Sequence, residues 1–278
     1  FSGLWRCRSA SSNPRTSVSC ANGDQRVVVV RLSDLMNRAI ALAGRVDLQH
    51  DANPRVGAVV VSADGEVVGE GWHEGSGTAH AEVVALTQAG NRAKGATVYS
   101  TLEPCAAAGR VGACVAALLA AEVSTVIFGQ TDPNPVMAGG AQQLAAAGVG
   151  VRGGDLAAEC AALNPSWTFA HDHGRPWVVW KTATSLDGFV AAADGTSKWL
   201  TGLPARAMVQ ELRAHMGAVV TGTGTVLADN PRLTVREAVR QPLRVVVGNR
   251  DLPPDALVHP VAQYRVPIAD ALAALWQD

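Results

Sequence analysis

Apolar residues recur at three- and four-residue steps through Leu32, Leu35, Met36, Ala39, Ile40 and Ala43. This predicts an amphipathic helix over 33–46, with Ser33 or Asp34 near its N-cap. After Asn53-Pro54-Arg55-Val56-Gly57, an apolar run at 58–61 and an answering segment at 66–72 flank Asp64-Gly65, a β-hairpin signal. From there the pattern switches repeatedly between the two periods. Residues 81–89 read as a helix opening just after His80, 96–101 as a strand, 114–121 as a helix and 123–129 as a strand. Then follow a helix at 139–147, a short strand at 149–152 and a helix at 155–163. Strands separated by helical segments predict a largely parallel, three-layer α/β domain.

Pro165, Gly174 and Pro176 stand among polar residues over 164–176, which reads as a domain boundary. Beyond it, 177–182 (WVVWKT) reads as a strand, Asp187-Gly188 as a turn, 204–215 as a helix, 217–221 and 243–248 as strands, and 267–276 as a helix. The expected organisation is thus a first domain over 27–165 and a second over 175–278. No internal repeat is visible.

Composition narrows the function classes. The 278 residues are 48% hydrophobic and 17% charged, enough apolar material for a sizeable core, and the net charge of −1 argues against a polyanion partner. Aromatic residues, at 5%, are too few for a single-strand stacking platform, so nucleic acid is not an expected partner. No apolar run reaches membrane-spanning length, so no membrane role is expected either. Five cysteines (Cys7, Cys20, Cys105, Cys114 and Cys160) suit metal binding or free thiols in a reducing, cytoplasmic setting better than a disulfide scaffold. Residues 1–26 are rich in Ser, Arg and Asn without either period, and read as a disordered or non-native extension.

The chemistry concentrates between His80 and Cys114. One imidazole and two thiols, His80, Cys105 and Cys114, form a soft donor set that favours Zn²⁺, and three protein ligands leave a fourth coordination position open. Glu82, two residues from His80, is near enough to trade protons with a water there without being a ligand. Helices opening near His80 and at Cys114 would aim their N-terminal partial charge at the site and favour thiolates. Taken singly, each cysteine is as readily a small buried hydrophobe and His80 a satisfied polar residue. The combination, with Pro104 before Cys105, is what points to a metal.

His80-x-Glu82 followed by Pro104-Cys105 matches the first half of the zinc nucleobase-deaminase signature, but the second cysteine follows as C-x₈-C. With Thr101-Leu102-Glu103-Pro104, Gly109-Arg110, Asn53-Pro54-Arg55-Val56-Gly57 and Asp132-Pro133-Asn134-Pro135, the chain resembles the bifunctional riboflavin-biosynthesis deaminase/reductase family from about residue 33 to 250. The resemblance implies a cytidine-deaminase-like domain followed by a dihydrofolate-reductase-like one. It implies hydrolytic removal of the 2-amino group of a diaminopyrimidinone ribosylamino 5′-phosphate, then NADPH-dependent reduction of the ribosyl side chain. Asn53 would bond the base, while Arg110, Asp132 and Asn134 would hold ribose or phosphate; for Asn53, Asp132 and Asn134 a turn-forming role is the plain alternative.

In the second half the matching stretches are Lys181 to Gly188, Ser197-Lys198-Trp199 and Thr221 to Pro231. Ala183, Trp199, Thr225 and Asp229 would line the NADP site, and Ser197, Arg213, Leu233 and Arg236 would hold substrate. The family continues with a Glu and a Gly-Gly-Pro loop beyond the point where this chain stops at Asp278, so the reductase half is expected to be partial. A homo-oligomer is also implied. One departure stands out: Ala107 and Val111-Gly112-Ala113 occupy positions where the family carries a His and Thr-Pro-Pro. It leaves two alternatives open, a zinc deaminase of another nucleobase compound and a catalytically dead, zinc-stabilised scaffold.

Overall fold

The structure, a computed structural model, describes residues 32–46, 53–107, 112–238 and 240–277. The extension foreseen over 1–26 and the candidate Arg110 lie outside the described residues. Among the described residues two compact units part at Asn164: one built on 32–46 and on those of 55–163, the other on those of 164–277 together with Asn53 and Pro54. No helix among the described residues is long and apolar enough to cross a membrane.

In the first unit the helix α1 (Leu32–Ala43) precedes the hairpin β1 (Gly57–Val61) and β2 (Val67–Trp72). Next come α2 (Ala81–Ala89), a 3-10 turn (Gly90–Ala93), β3 (Thr97–Leu102), α3 (Cys114–Ala120) and β4 (Thr125–Gln130), then α4 (Gly140–Ala146), β5 (Gly150–Gly153) and α5 (Ala157–Ala161). The expected elements are all present, with ends moved by a few residues; α1 starts at Leu32, so Asp34 sits in its first turn rather than near the cap. The sheet order is β2-β1-β3-β4-β5.

The sheet is mixed rather than largely parallel. β1 runs antiparallel to both β2 and β3, whereas β3–β4 and β4–β5 are parallel. The reason is the connection: α2 carries the chain back over β1, so β3 enters on its far side in the direction of β2. Period two then assigns the faces. Val59 and Val61 of β1, Tyr99 of β3 and Ile127 of β4 pack under α1 and α5, against Met36, Ala39, Leu42 and Cys160. The opposite face, bearing Ala58, Val60 and Ser100, lies under α2, with α3 and α4 in the same layer. The carboxyl ends of β2, β3 and β4 point one way, and the loops leaving them gather there, as open α/β sheets place their sites.

The second unit contains α6 (Pro165–His173), α7 (Leu203–Ala214), β6 (Ala218–Gly222), α8 (Thr223–Asp229), β7 (Leu243–Val247), β8 (Ala262–Tyr264) and α9 (Ile268–Gln277). β6, β7 and β8 form a parallel three-stranded sheet over a core of Val226, Leu233, Val246, Ala256 and Val258.

The two units part at the start of the stretch read as a boundary, and within it Pro165–His173 form a helix: Pro165 stands in the first turn and Gly174 closes the end at φ 60°, the positions where each residue favours helix termini. One expectation fails here. Residues 177–182 form no strand, because none of the described strands pairs with them, and an apolar run without a neighbouring ladder makes no sheet. Trp180 is accordingly 87% exposed. Elements missed in the sequence are the 3-10 turn, the short α8, whose Gly222-Thr223-Gly224 start reads as a turn, and the three-residue β8.

Candidate metal centre and active site

The centre is assembled by three chain reversals at one end of the first sheet. His80 is the N-cap of α2, with extended backbone (φ −70°, ψ 157°), and its carbonyl accepts the Val84 N–H at 3.0 Å. α2 can lie close on β2 because position 71 is glycine: a Cβ there would fall 2.2 Å from the Ala81 carbonyl oxygen. Cys105 leaves β3 through Glu103-Pro104, and Cys114 is the first residue of α3. The Cys114 N–H donates to Cys105 Sγ at 3.2 Å, so a helix N-terminus does serve the thiol.

His80 Nδ1 lies 3.1 Å from Cys114 Sγ and 3.5 Å from Cys105 Sγ, and the three ligand atoms all fall within 4.8 Å of one another. Zinc bonds of about 2.1 Å to nitrogen and about 2.3 Å to sulfur set tetrahedral edges of roughly 3.5–3.8 Å, so this donor set fits zinc. Both cysteines are buried and unpaired by disulfide. Cys105 is drawn down to about 4, first by its hydrogen bond with Cys114, then by the His80 ring and the Cys114 N–H. Cys114 is pushed up by that same shared bond, by burial and by the Glu82 carboxylate.

Glu82 is 3% exposed, and burial raises its carboxyl above the ordinary range. Ser100 Oγ donates to its Oε1 at 3.2 Å and the Cys114 thiol to its Oε2 at 3.4 Å. A carboxyl group so placed beside three metal donors can hold a proton and pass it on.

Asp132 and Asn134 emerge from β4 in the adjacent loop. Asp132 is buried; its Oδ1 accepts the Asn134 N–H at 2.8 Å, and Asn134 Oδ1 accepts the Val136 N–H at 3.0 Å. Both side chains therefore shape turns, yet Asp132 also stands within the field of the centre. Its carboxyl is pushed up to about 6, chiefly by burial, then by Glu103, Cys105 and Glu82. Asn53 is half-buried at the entry to β1, and Ala107 half-buried at the start of the cysteine loop.

Comparison with known proteins agrees with this arrangement. The profile of the cytidine and deoxycytidylate deaminase zinc-binding region matches residues 30–130, and that of the RibD C-terminal domain matches 176–270. The riboflavin biosynthesis protein RibD of Mycobacterium tuberculosis is 47% identical over 237 residues, 83% of this chain and 70% of that protein. The chain belongs to the RibD family. RibD of Escherichia coli K12 is 44% identical over 231 residues, covering 78% of this chain and 63% of its own. The solved structure of Acinetobacter baumannii RibD superposes with a TM-score of 0.76 at 41% identity, covering 88% of this chain and 77% of that one. A Thermotoga maritima structure, described as a diaminohydroxyphosphoribosylaminopyrimidine deaminase/5-amino-6-(5-phosphoribosylamino)uracil reductase, gives 0.70 at 33%, with 88% and 77% covered. The α/β reading, deaminase-like then reductase-like, is borne out. Like RibD, the chain joins a zinc-dependent deaminase half to an oxidoreductase half.

In the RibD reductase half, the structure brings some candidates together. Ser197 Oγ donates to Asp229 Oδ1 at 3.3 Å, and Thr225 lies one turn before Asp229 on α8. Trp199 is 66% exposed, with the Arg206 guanidinium 4.4 Å above its ring. Arg213 donates to the Thr234 carbonyl at 3.3 Å, and its pKa is lowered by burial and by Arg236. Leu233 packs into the core, so its backbone rather than its side chain would meet a ligand. Ala183 is half-buried in the segment before the Asp187-Gly188 turn.

Three residues of this RibD site escape sequence reasoning. Ser100 supports Glu82. Glu103, 5% exposed, accepts three backbone N–H groups from the loop after β4. His73, 4% exposed, packs its ring edge-on to His80 at 5.3 Å. His73 carries a signal as an imidazole seven residues before the ligand, and Glu103 stands in the Thr101-Leu102-Glu103-Pro104 motif without a role read for it.

Proposed function

We propose that the first unit hydrolyses the 2-amino group of 2,5-diamino-6-ribosylamino-4(3H)-pyrimidinone 5′-phosphate, giving the aminouracil and ammonia. The observation that carries this is the convergence of His80, Cys105 and Cys114 on one point with the buried Glu82 beside them. Zinc bound there supplies the Lewis acidity that makes water a nucleophile at neutral pH. Glu82 would take a proton from the attacking water and deliver it to the departing amine, so that oxygen replaces nitrogen on the ring carbon and ammonia leaves. Ser100 holds the Glu82 carboxyl in place meanwhile. Asn53 bonds the base, and Arg110, Asp132 and Asn134 meet the ribose or its phosphate.

Where the reductase domain is complete in the native protein, the second unit would hold NADPH, which would supply hydride for reduction of the ribosyl group. Ala183, Trp199, Thr225 and Asp229 line the cofactor site, while Ser197, Arg213, Leu233 and Arg236 hold substrate. Two guanidinium groups that repel each other, Arg213 and Arg236, support a phosphate position between them. The enzyme works as a homo-oligomer in the cytoplasm, where Cys105 and Cys114 stay reduced; light scattering of the purified chain tests the assembly.

The purified chain should carry about one zinc, lost on Cys105→Ala. Glu82→Gln should keep zinc while turnover, read as ammonia release from the diaminopyrimidinone, falls ~10²–10⁴-fold. Full zinc in Cys105→Ala would sink the reading. Ala107 favours one competing substrate class, so cytosine, guanine and adenine compounds are assayed alongside; faster ammonia release from one of them would replace the substrate and keep the chemistry.

A further inference from the structure

We infer that Glu103 is a positioning residue that fixes the Asp132–Asn134 loop in register with the metal ligand Cys105. The inference rests on the deaminase reading above, in which that loop meets the ribose or phosphate end of the substrate. Glu103 is buried, and its carboxylate is filled by backbone donors from both ends of one loop. Oε2 accepts the Asp132 N–H at 3.2 Å, and Oε1 accepts the N–H groups of Gly139 at 3.3 Å and Ala141 at 3.0 Å. The last two are orphan donors at the start of α4, which has no side-chain cap of its own.

Two further ties join the same segments. The Ala106 N–H donates to the Met137 carbonyl at 2.8 Å. Gly140 lies so close to the cysteine loop that a Cβ on it would fall 1.8 Å from the Pro104 carbonyl oxygen. Residues 103–106 and 131–141 therefore form one body, with Glu103 at the joint. The turns closed by Asp132 and Asn134 set the internal shape of the loop. Glu103 sets where that shape stands relative to Cys105, and so the span between the carbon that loses its amine and the phosphate that anchors the substrate. A carboxylate suits the task because it accepts on both oxygens and donates on neither.

Glu103→Gln separates this role from bulk stability. Its amide oxygen can keep Gly139 and Ala141, but its NH₂ meets the Asp132 N–H donor to donor and releases that end of the loop. In the zinc-loaded 278-residue chain, KM for the diaminopyrimidinone phosphate should rise about tenfold while kcat stays within about twofold and zinc is retained, the signature of lost uniform binding. Amide hydrogen exchange without substrate should quicken at 131–136 and stay unchanged in α1. Unchanged exchange, or a fall in kcat at constant KM, would overturn the inference. So would zinc loss with the loop unaffected, since Glu103 would then serve Cys105 alone. If the parent chain releases no ammonia from this substrate, the functional reading fails, and the exchange measurement still decides the role of Glu103.

Discussion

Ser100 sits on β3 with no measurable exposure, facing α2, and spends its hydroxyl proton on Glu82. Ser100→Ala removes that donor without changing backbone or volume much. A hydrogen bond to a charged partner is worth about 1.5–3 kcal/mol, so kcat should fall roughly tenfold to a hundredfold. Zinc content and KM should hold; the check is steady-state ammonia release beside metal analysis, and an unchanged kcat would remove Ser100 from the mechanism. At this scale the ligands and Glu82 are legible in the sequence because the spacing H-x-E with P-C is itself chemical. Ser100 and Glu103 are not, since each is defined by a partner on another element. Ser100 is 18 residues from Glu82, and the donors to Glu103 lie 29 to 38 residues further on. A lone serine in a strand pattern and a glutamate before proline carry no local mark of either contact.

Elements are where local pattern and tertiary context part company. α2 brings His80 and Glu82 to the centre because Gly69 and Gly71 let its backbone touch β2; a Cβ at 71 would lie 2.2 Å from Ala81 O and 2.6 Å from Ala85 N. Those are backbone atoms that cannot swing aside, so Gly71→Ala must lift the helix. The expected cost is about 1–3 kcal/mol, seen as a melting temperature several degrees lower, together with weakened zinc retention in a chelator competition. Normal stability with normal zinc would show that α2 can shift freely. The hairpin and the helices of the first unit follow from periodicity because each buries one face against the sheet. In the second unit the same reasoning misses α6, because Pro165 and Gly174 were weighed as breakers rather than as terminators. It places a strand at 177–182 because an apolar run records the need for a partner, not the partner.

The molecule as a whole is close to neutral, with a net charge of −1, yet its first unit buries four acid groups at one end of the sheet. Glu82, Glu103, Cys105 and Asp132 are each less than a tenth exposed. Glu103 is answered by backbone N–H groups, but burial raises the carboxyls of Glu82 and Asp132, the latter to about 6, and Cys105 adds to the cost of ionising both. No arginine or lysine pairs with any of them among the described ion pairs. A dication held by His80, Cys105 and Cys114 would relieve that cost, which couples metal binding to the stability of this unit. A ligand at a thousandfold above its dissociation constant adds about 4 kcal/mol to the folded state. Chelation should therefore lower the melting temperature of the first unit and quicken amide exchange in α2 and α3, whose first turns adjoin His80 and Cys114. Zinc should restore both and magnesium neither, because two thiolates and an imidazole are soft donors that a hard ion does not hold. If chelated protein melts where loaded protein does, the buried charge is balanced by something other than a metal.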